Sequence, residues 1–322
     1  MLDYEKIFGD KLDYNLRGET KPDFETLTET DQSIITESPT VRIHSGVFGL
    51  NDIFAWMRNF VYVWTGTPNT GKTTMLFFMM VLASVKHGLK WVLWSPEMID
   101  SEMKGTVRYT ARDIWLQLIW MLTGVTPFES YAKKHNTKLL SKDEIIASYK
   151  WLADYFTILH LRQRSPKAIM ETFSKFEADG YVIDPWKNVH QSTDERYDIW
   201  LSDVLATMKE FALETNAMMN IIVHPKSLKD YKDDNGDYRV ITAFDLNGGA
   251  SWNNSTDAII SLRRKQPLEN VMEWHTAKAR KQHVAFKPGS LEGICFNMDT
   301  FRFYFDGICP IDNSKQPVKY GF

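Results

Sequence analysis

The chain has 322 residues, of which 43% are hydrophobic and 25% charged, a composition typical of one large or two smaller globular domains. Two cysteines, Cys295 and Cys309, cannot form a disulfide framework or a cysteine metal cluster, which favours a reducing compartment. No apolar run reaches the ~18 residues needed to cross a bilayer, and the acidic start MLDYEKIFGDKLDY is not a secretory signal. We therefore expect a cytoplasmic protein without a membrane partner.

Charge is unevenly distributed along the chain. Residues 1–40 hold 4 basic and 10 acidic side chains, a net charge of −6. Because the whole chain has a net charge of −3, the remaining residues have a net charge of +3. Residues 261–290 hold seven Lys or Arg against two Glu, which suits contact with phosphates or an ordinary solvated face. We interpret residues 1–40 as an acidic N-terminal extension or linker, 41–309 as one α/β domain and 310–322 as a tail.

Apolar runs and amphipathic segments alternate from Val41 onward, which predicts a mostly parallel central sheet flanked by helices. The last three strands follow one another closely and are expected to form an antiparallel edge. The predicted strands are 61–65, 91–95, 155–161, 181–184, 218–224, 257–262, 272–279, 293–298 and 301–305. The predicted helices are 72–87, 100–123, 142–154, 166–178 and 194–216.

The segment GTPNTGKTT, residues 66–74, fits the pattern G-x-x-x-x-G-K-[ST] between a predicted strand and a predicted helix. This context is typical of a P-loop, whose backbone N–H groups bind phosphates. Lys72 should reach the β- and γ-phosphates, and the Thr73 hydroxyl should ligate Mg²⁺. We expect ATP and Mg²⁺ as ligands. The predicted nucleotide-binding residues are Gly66, Thr67, Pro68, Asn69, Thr70, Gly71, Lys72, Thr73 and Thr74.

Polar residues follow three later strands, where ligands bind in a parallel sheet. Glu97, in SPEM, could activate a water beside the γ-phosphate or merely stabilise a helix start. Asp184 ends an apolar strand, which suits a Walker B carboxylate or a turn. His224 could contact the γ-phosphate or be a partly buried histidine.

Two further segments suit contacts with a polyanion. The polar stretch 227–251 is long enough to be a functional loop or a disordered one, and it contains Asn247, Gly248 and Gly249, whose backbone N–H groups suit a nucleic-acid backbone. Lys278 and Arg280 stand two residues apart on a predicted strand, so they share a face. They suit a γ-phosphate contact from a neighbouring subunit, or an exposed basic strand.

These motifs, in this order, resemble the helicase domain of ring-shaped DnaB-like replicative helicases, particularly the Twinkle-like and phage-type branch. The resemblance implies a RecA-like P-loop core over residues 41–305. It is carried by Ile43–Phe54, GTPNTGKTT, WSPEM, VIDPW, VHPK, NGGASWNN with TDAIISLRR, and KAR.

The resemblance also implies roles for single residues. Lys72 and Thr73 bind the phosphates and Mg²⁺, and Asp184 is the Walker B carboxylate that helps hold the metal. Glu97 is the catalytic base, and His224 senses the γ-phosphate. Arg280, with Lys278, is the implied arginine finger, which a neighbouring subunit supplies to the nucleotide site. The expected DNA contacts are Lys187, Lys226, Asn247, Gly248 and Gly249.

The implied function is an ATP-dependent replicative DNA helicase that moves 5′-to-3′ on single-stranded DNA as a ring, expected to be a hexamer. About 40 residues precede the core, too few for a primase domain, so a separate primase or loader is an expected partner. If a phage encodes the chain, its location is the host cytoplasm. Two alternatives remain open: a recombinase-like or loader DNA-dependent ATPase that does not unwind, and an ATP-switched assembly protein.

Overall fold

The structure is a computed structural model, and the secondary structure below refers to the residues that it describes. Those residues are 42–47, 49–98, 100–104, 106–192, 195–226, 232–233, 235–266 and 269–312. The predicted N-terminal extension, residues 1–40, and residues 313–322 of the predicted tail lie outside the described residues.

Strands and helices alternate through the first two thirds of the described chain, and strands follow one another near its end. The strands are β1 Arg42–His44, β2 Ala55–Met57, β3 Val61–Gly66, β4 Trp91–Trp94, β5 Asp100–Lys104, β6 Thr106–Thr110, β7 Phe156–Leu159, β8 Gly180–Ile183, β9 Met218–Ile222, β10 Ala258–Arg263, β11 Val271–Ala279, β12 Gly289–Asn297 and β13 Arg302–Tyr304. The helices are α1 Lys72–His87, α2 Arg112–Thr123, α3 Glu129–His135, α4 Lys142–Ala153, α5 Pro166–Phe173, α6 Tyr197–Glu214 and α7 Gly249–Ser255. Short 3-10 turns cover Pro96–Met98, Trp186–Asn188 and Ala243–Asp245.

The central sheet has nine strands in the order β13-β12-β11-β10-β3-β9-β8-β4-β7. Strands β10, β3, β9, β8, β4 and β7 are parallel. Strands β11, β12 and β13 extend the sheet in antiparallel fashion. The mostly parallel sheet and its antiparallel C-terminal edge are therefore confirmed. All parallel strands end at one edge, which gathers the loops that follow them.

Helices cover both faces of the sheet, so its inner strands are apolar throughout. Side chains alternate between the faces: Tyr62 and Trp64 join one core, while Val61 and Val63 join the other. The first core also contains the buried side of α1 and α2, and the second contains that of α5 and α6. No helix in the described part of the chain is long and apolar enough to cross a membrane.

The prediction of one helix over residues 100–123 is wrong in its first half. Helix α2 begins only at Arg112, and β5 and β6 form an antiparallel hairpin before it. The sequence TVRYT, residues 106–110, is rich in β-branched and aromatic residues, which favour a strand. The apolar helical periodicity of residues 114–122 was extended backward across this segment without support from its composition.

A short hairpin that the sequence did not predict closes one end of the first core. Strands β1 and β2 have three residues each, too few to show a periodicity. The Tyr62 hydroxyl donates to the carbonyl of Ala55 (2.7 Å) and accepts from the amide of Met57 (2.8 Å). Tyr62 is fully buried, so this single hydroxyl satisfies two backbone groups of β2 away from water.

We expect Tyr62→Phe to lower the free energy of unfolding by about 1–3 kcal/mol, because it leaves two buried backbone groups without their partner. Urea unfolding followed by circular dichroism measures the change. Tyr149, which is 45% exposed, provides the matched control Tyr149→Phe. Equal stability of the two variants would contradict the role assigned to the Tyr62 hydroxyl.

Candidate functional site: a nucleotide site at the carboxyl edge of the sheet

The P-loop and three of the predicted catalytic residues follow the carboxyl ends of four parallel strands. The P-loop follows β3, Glu97 follows β4, Asp184 follows β8 and His224 follows β9. Because these strands are parallel, their carboxyl ends lie along one edge of the sheet. The fold thus gathers residues that are more than 150 positions apart in the sequence.

The P-loop begins at Gly66, the last residue of β3, which pairs with Leu262 of the neighbouring strand β10. Gly66 has φ of 146°, and a Cβ atom there would lie 2.2 Å from the carbonyl oxygen of Leu262 on β10. Gly71 has φ of 84° and precedes the first residue of α1, Lys72. Both conformations favour glycine, so the two glycines of the motif fix where the loop starts and where the helix begins.

Lys72 lies inside the loop. Its Nζ donates to the carbonyl oxygens of Gly66 (3.1 Å) and Thr67 (2.9 Å), and the residue is 5% exposed. Burial lowers the pKa of Lys72 to about 8, against the opposing charge of Asp184. The ammonium is thus held among carbonyl oxygens at the start of α1, where backbone N–H groups suit an anion.

Asp184 lies against the first turn of α1. Its carboxylate accepts hydrogen bonds from the Thr73 hydroxyl (3.2 Å) and the Ser95 hydroxyl (3.2 Å), and the residue is 4% exposed. Burial raises the pKa of Asp184 to about 6, although the bonds from Thr73 and Ser95 act in the opposite direction. A carboxylate so deeply buried gains most from a cation beside it.

Thr73 and Asp184 fit a bound Mg²⁺. They offer a hydroxyl and a carboxylate oxygen side by side, the hard oxygen donors that this ion prefers. The described residues contain no cluster of three or more His, Cys, Asp or Glu that could hold a metal. Mg²⁺ commonly takes one or two protein carboxylates and completes its shell with waters and substrate phosphates, so this sparse donor set is compatible with it.

Glu97 and Lys187 form an ion pair beside the P-loop. Glu97 lies in the turn Pro96–Met98 after β4, and Lys187 in the turn Trp186–Asn188 after β8. Lys187 Nζ lies 2.6 Å from Glu97 Oε1. Lys187 was predicted from the sequence as a DNA contact and Glu97 as the catalytic base, and no sequence signal pointed to their pairing.

His224 lies half-buried between the nucleotide loop and this ion pair. Burial lowers the pKa of His224 to about 4, with further lowering by the charges of Lys72 and Lys187 and opposition from Glu97. Near neutral pH the imidazole is therefore uncharged. It lines a cavity of about 240 Å³ together with Lys187 and Asn247, so a predicted sensor and two predicted DNA contacts share one space.

The described part of the predicted loop after β9 is held by an ion pair, a capped turn and a backbone hydrogen bond. Arg239 donates to both carboxylate oxygens of Asp245 (2.7 and 2.9 Å), and Thr242 caps the turn Ala243–Asp245. Lys226 donates its backbone N–H to the carbonyl of Asp245. Residues 227–231 and 234 of the predicted loop lie outside the described residues.

Gly248 and Gly249 join this loop to α7. A Cβ at Gly248 would meet Leu201 Cδ2 at 2.5 Å, and one at Gly249 would meet the carbonyl oxygen of Ala243 at 2.6 Å. Close packing alone therefore accounts for both glycines. Their predicted contact with DNA stays a prediction.

Lys278 and Arg280 lie at the opposite edge of the sheet from the P-loop. Strand β11 runs antiparallel to β10, and Ala279 pairs with Ala258, the first residue of β10. Arg280 donates to the carbonyl of Asn254, and Lys278 to those of Asn253 and Thr256. Through Asp257, Arg280 lies level with Val61, the first residue of β3, so five residue steps of ~3.3 Å put its backbone roughly 17 Å from the level of Gly66. Within one chain these two residues are not part of the nucleotide site.

Arg264 lies beside the P-loop, a position that its place in the basic region 261–290 did not predict. It follows β10, and its Nη2 would lie 3.7 Å from a Cβ at Gly71. Its Nε is buried without a hydrogen-bond partner among the described residues, and burial lowers the pKa of the guanidinium. The sequence could not indicate this position, because it depends on the pairing of β10 with the P-loop strand β3.

The arrangement can bind a nucleoside triphosphate and polarise its phosphates. It combines a glycine-bounded loop at a helix start, a buried lysine, a hydroxyl–carboxylate pair and a carboxylate at the rim. These features define a P-loop nucleotide-binding protein with a mostly parallel sheet.

Comparison with known proteins shows which P-loop proteins this chain is similar to. No family model matches the chain. The chain is 24% identical over 293 residues to the Twinkle homolog protein, chloroplastic/mitochondrial, of Arabidopsis thaliana, a match that covers 86% of this chain. The chain spans 38% of the length of that relative.

Solved structures give the same answer for the fold. One solved ATPase domain superposes with a TM-score of 0.65 at 15% identity, covering 85% of this chain and 95% of the other. A DnaB-like replicative helicase, described with its interactions with primase, superposes with a TM-score of 0.61 at 15% identity. This match covers 85% of this chain and 66% of the helicase. A KaiC-like protein from Pyrococcus horikoshii superposes with a TM-score of 0.50 at 15% identity. This match covers 82% of this chain and 98% of the KaiC-like protein. The RecA-like fold and the resemblance to DnaB-like and Twinkle-like helicase domains are therefore confirmed.

We expect Gly66→Ala to abolish detectable nucleotide binding and to lower hydrolysis roughly a hundredfold, the loss that a misplacement of about 1 Å can cause. The added Cβ would collide with the backbone of β10 and push the loop away from α1. Fluorescence titration with a labelled ATP analogue measures the binding.

Gly88→Ala is the matched control for this substitution. Gly88 also has positive φ, of 69°, but a Cβ there meets nothing within 4 Å. This variant should lose about 1–2 kcal/mol of stability and keep nucleotide binding. If Gly66→Ala bound nucleotide as well as Gly88→Ala does, the close approach of β3 and β10 would not be what positions the loop.

Proposed function

We propose that this chain is an ATP-dependent replicative DNA helicase that moves along single-stranded DNA as a ring and hydrolyses ATP at its subunit interfaces. The observation that carries the proposal is the shared cavity lined by His224, Lys187 and Asn247. It places a residue beside the nucleotide site in the same space as two residues suited to DNA. The similarity to a Twinkle homologue supports the choice of nucleic acid as the second ligand.

In the proposed reaction, Glu97 accepts a proton from a water molecule that attacks the γ-phosphorus. A bond forms between the water oxygen and phosphorus, the bond from phosphorus to the bridging oxygen breaks, and ADP leaves with the electron pair. Lys72 binds the β- and γ-phosphates, and Thr73 and Asp184 would hold Mg²⁺. When bound, Mg²⁺ would neutralise charge on the phosphate oxygens. Neutral His224 would donate a hydrogen bond to the γ-phosphate and lose it on phosphate release.

Assembly as a ring is supported by the position of Arg280 and Lys278. Both lie at the far edge of the sheet from the nucleotide of their own chain, so only another copy could bring them to a γ-phosphate. Arg280 is partly exposed and lies 4.0 Å from the Asp257 carboxylate. A copy docked edge to edge would supply Arg280 in trans, the arrangement in which an arginine finger stabilises transferring phosphoryl groups.

Two other functions use the same nucleotide site. A recombinase-like or loader ATPase would bind DNA without separating strands, and an ATP-switched assembly protein would not respond to DNA. The KaiC-like structural neighbour has a similar fold, so the fold alone does not choose among them. Separation of annealed strands distinguishes the helicase from both.

We expect the protein, with ATP and Mg²⁺, to release a labelled strand from a forked duplex, and a 5′ tail to be required if movement is 5′-to-3′. Native gel electrophoresis measures the released strand. DNA-stimulated hydrolysis without release would favour the recombinase-like or loader function. Lys72→Ala should release none, because it removes the ammonium that binds the phosphates.

We expect Arg280→Ala to lower DNA-stimulated hydrolysis by about 10³-fold, the smaller end of the effect of an arginine finger. Mixing it with Lys72→Ala subunits should restore part of the activity, because some interfaces then pair an intact Lys72 with an intact Arg280. A steady-state ATPase assay over a range of mixing ratios measures the recovery.

Arg58→Ala serves as the control, since Arg58 precedes β3, at the same edge as Arg280, and pairs with Asp179 within its own chain. It should retain the activity of the wild type without mixing. A lack of recovery in the mixed Arg280→Ala and Lys72→Ala subunits would argue against catalysis in trans.

A further inference from the structure

Glu97 and Lys187 are brought together by the pairing of two neighbouring strands. Trp94 of β4 pairs with Ile183 of β8, and Glu97 and Lys187 follow these residues by three and four positions. Each lies in a short 3-10 turn at the same edge of the sheet. The pair is therefore fixed by the sheet, although its members are far apart in the sequence.

The contact is short but exposed to solvent. Lys187 Nζ lies 2.6 Å from Glu97 Oε1, with side chains 58% and 42% exposed. Ion pairs with this exposure are weak, because water and salt screen them. A ligand that carries several negative charges can therefore compete with Glu97 for the ammonium.

Lys187 also lies where such a ligand would approach. It lines the cavity that Asn247 and His224 share. Trp186, Tyr197 and Trp200 contribute aromatic surface to the same cavity. Cationic and aromatic side chains together are the combination that binds single-stranded nucleic acid.

A carboxylate oxygen that accepts a hydrogen bond from an ammonium is occupied, so it is less available to orient a water molecule and accept its proton. In this structure the candidate base Glu97 is in that paired state. Its charge still reaches the site, because it acts on both Asp184 and His224. Whatever withdraws Lys187 therefore changes the group that must accept the proton from water.

We propose that Lys187 restrains Glu97 until a phosphate of single-stranded DNA takes the lysine over. In the DNA-free chain the ammonium pairs with Glu97 and occupies a carboxylate oxygen that would otherwise accept a hydrogen bond from water. With DNA bound, Lys187 pairs with a backbone phosphate, and the free carboxylate accepts the proton from the water that attacks the γ-phosphorus. Lys187 touches no reacting atom, so it is a positioning residue. The idea rests on the proposed function, because it needs DNA as ligand and Glu97 as base.

The first test measures DNA binding without hydrolysis. If Glu97 and DNA compete for Lys187, Glu97→Gln should bind a fluorescent oligothymidine roughly two- to fivefold more tightly than wild type, the range that an exposed ion pair can account for. Lys187→Gln should bind more weakly, with a salt dependence reduced by about one phosphate contact. Glu97→Gln should give no gain in a chain that already carries Lys187→Gln. Fluorescence anisotropy with Mg²⁺ and a non-hydrolysable ATP analogue measures all four proteins.

The pair formed by Lys133 and Glu129 is a matched control. Its Nζ–Oε1 distance is also 2.6 Å, and both side chains are exposed, but it joins successive turns of α3. Glu129→Gln should leave DNA affinity unchanged. A gain in affinity from Glu129→Gln equal to that from Glu97→Gln would mean that removing any surface negative charge tightens binding, which would overturn the proposal.

The second test measures turnover. Lys187→Gln should raise the DNA-free kcat roughly two- to fivefold at an unchanged KM for ATP, and should lower the ratio by which DNA stimulates hydrolysis. Lys187→Arg restores the ion pair and should bring the DNA-free kcat back toward the wild-type value. Lys133→Gln provides the control for the loss of a surface lysine.

Different results would contradict the restraint of Glu97 by Lys187 and the proposed function. If wild type is stimulated by DNA but Glu97→Gln binds DNA no better, or Lys187→Gln has an unchanged DNA-free kcat, only the restraint is wrong. If wild type neither binds oligothymidine nor responds to it, the proposed function fails, and the restraint with it.

Discussion

The nucleotide site depends on one close approach between two strands. Gly66, the last residue of β3, pairs with Leu262 of β10, and the Leu262 carbonyl leaves no room for a side chain at Gly66. This contact fixes the position at which the chain leaves the end of β3. The positive φ of Gly71 then directs the chain into helix α1. The first turn of α1 places Thr73 against Asp184, and Lys72 within the loop. The phosphate-binding and metal-binding groups thus derive their geometry from the packing of backbone on backbone.

The same sheet separates two kinds of residue along its strands. The residues proposed to act on the nucleotide of their own chain follow the carboxyl ends of the parallel strands, whereas Lys278 and Arg280 lie near the amino end of β10. Under the proposed function, a single copy would lack the positive charges of Lys278 and Arg280 around its own γ-phosphate. In the proposed ring, the length of β3 separates Arg280 from the nucleotide of its own chain. A neighbouring copy would have to supply this arginine, so hydrolysis of ATP would require assembly.

The fold was largely predictable, because buried parallel strands leave continuous apolar runs such as VYVW and WVLW, and the P-loop fixes where the first of them ends. Elements with weak periodicity were not predictable. Strands β1 and β2 are three residues long, and the hairpin before α2 was absorbed into a predicted helix. The short helices α3 and α7, of seven residues each, were also missed.

Much of the site was predictable as a set of positions but not as a set of contacts. The rule that ligands bind beyond the carboxyl ends of strands pointed to Glu97, Asp184 and His224. It could not reveal that Glu97 pairs with Lys187, because the register of β4 against β8 is a property of the folded sheet. Nor could it show that Arg264 lies beside Gly71, since that depends on which strand flanks β3.

The central claim is that this nucleotide site drives a DNA motor. Steady-state ATP hydrolysis with and without a single-stranded oligonucleotide, beside Lys72→Ala, tests it most directly. The account predicts strong stimulation by DNA that disappears in the variant. Hydrolysis by the wild type at the same rate with and without DNA would contradict it.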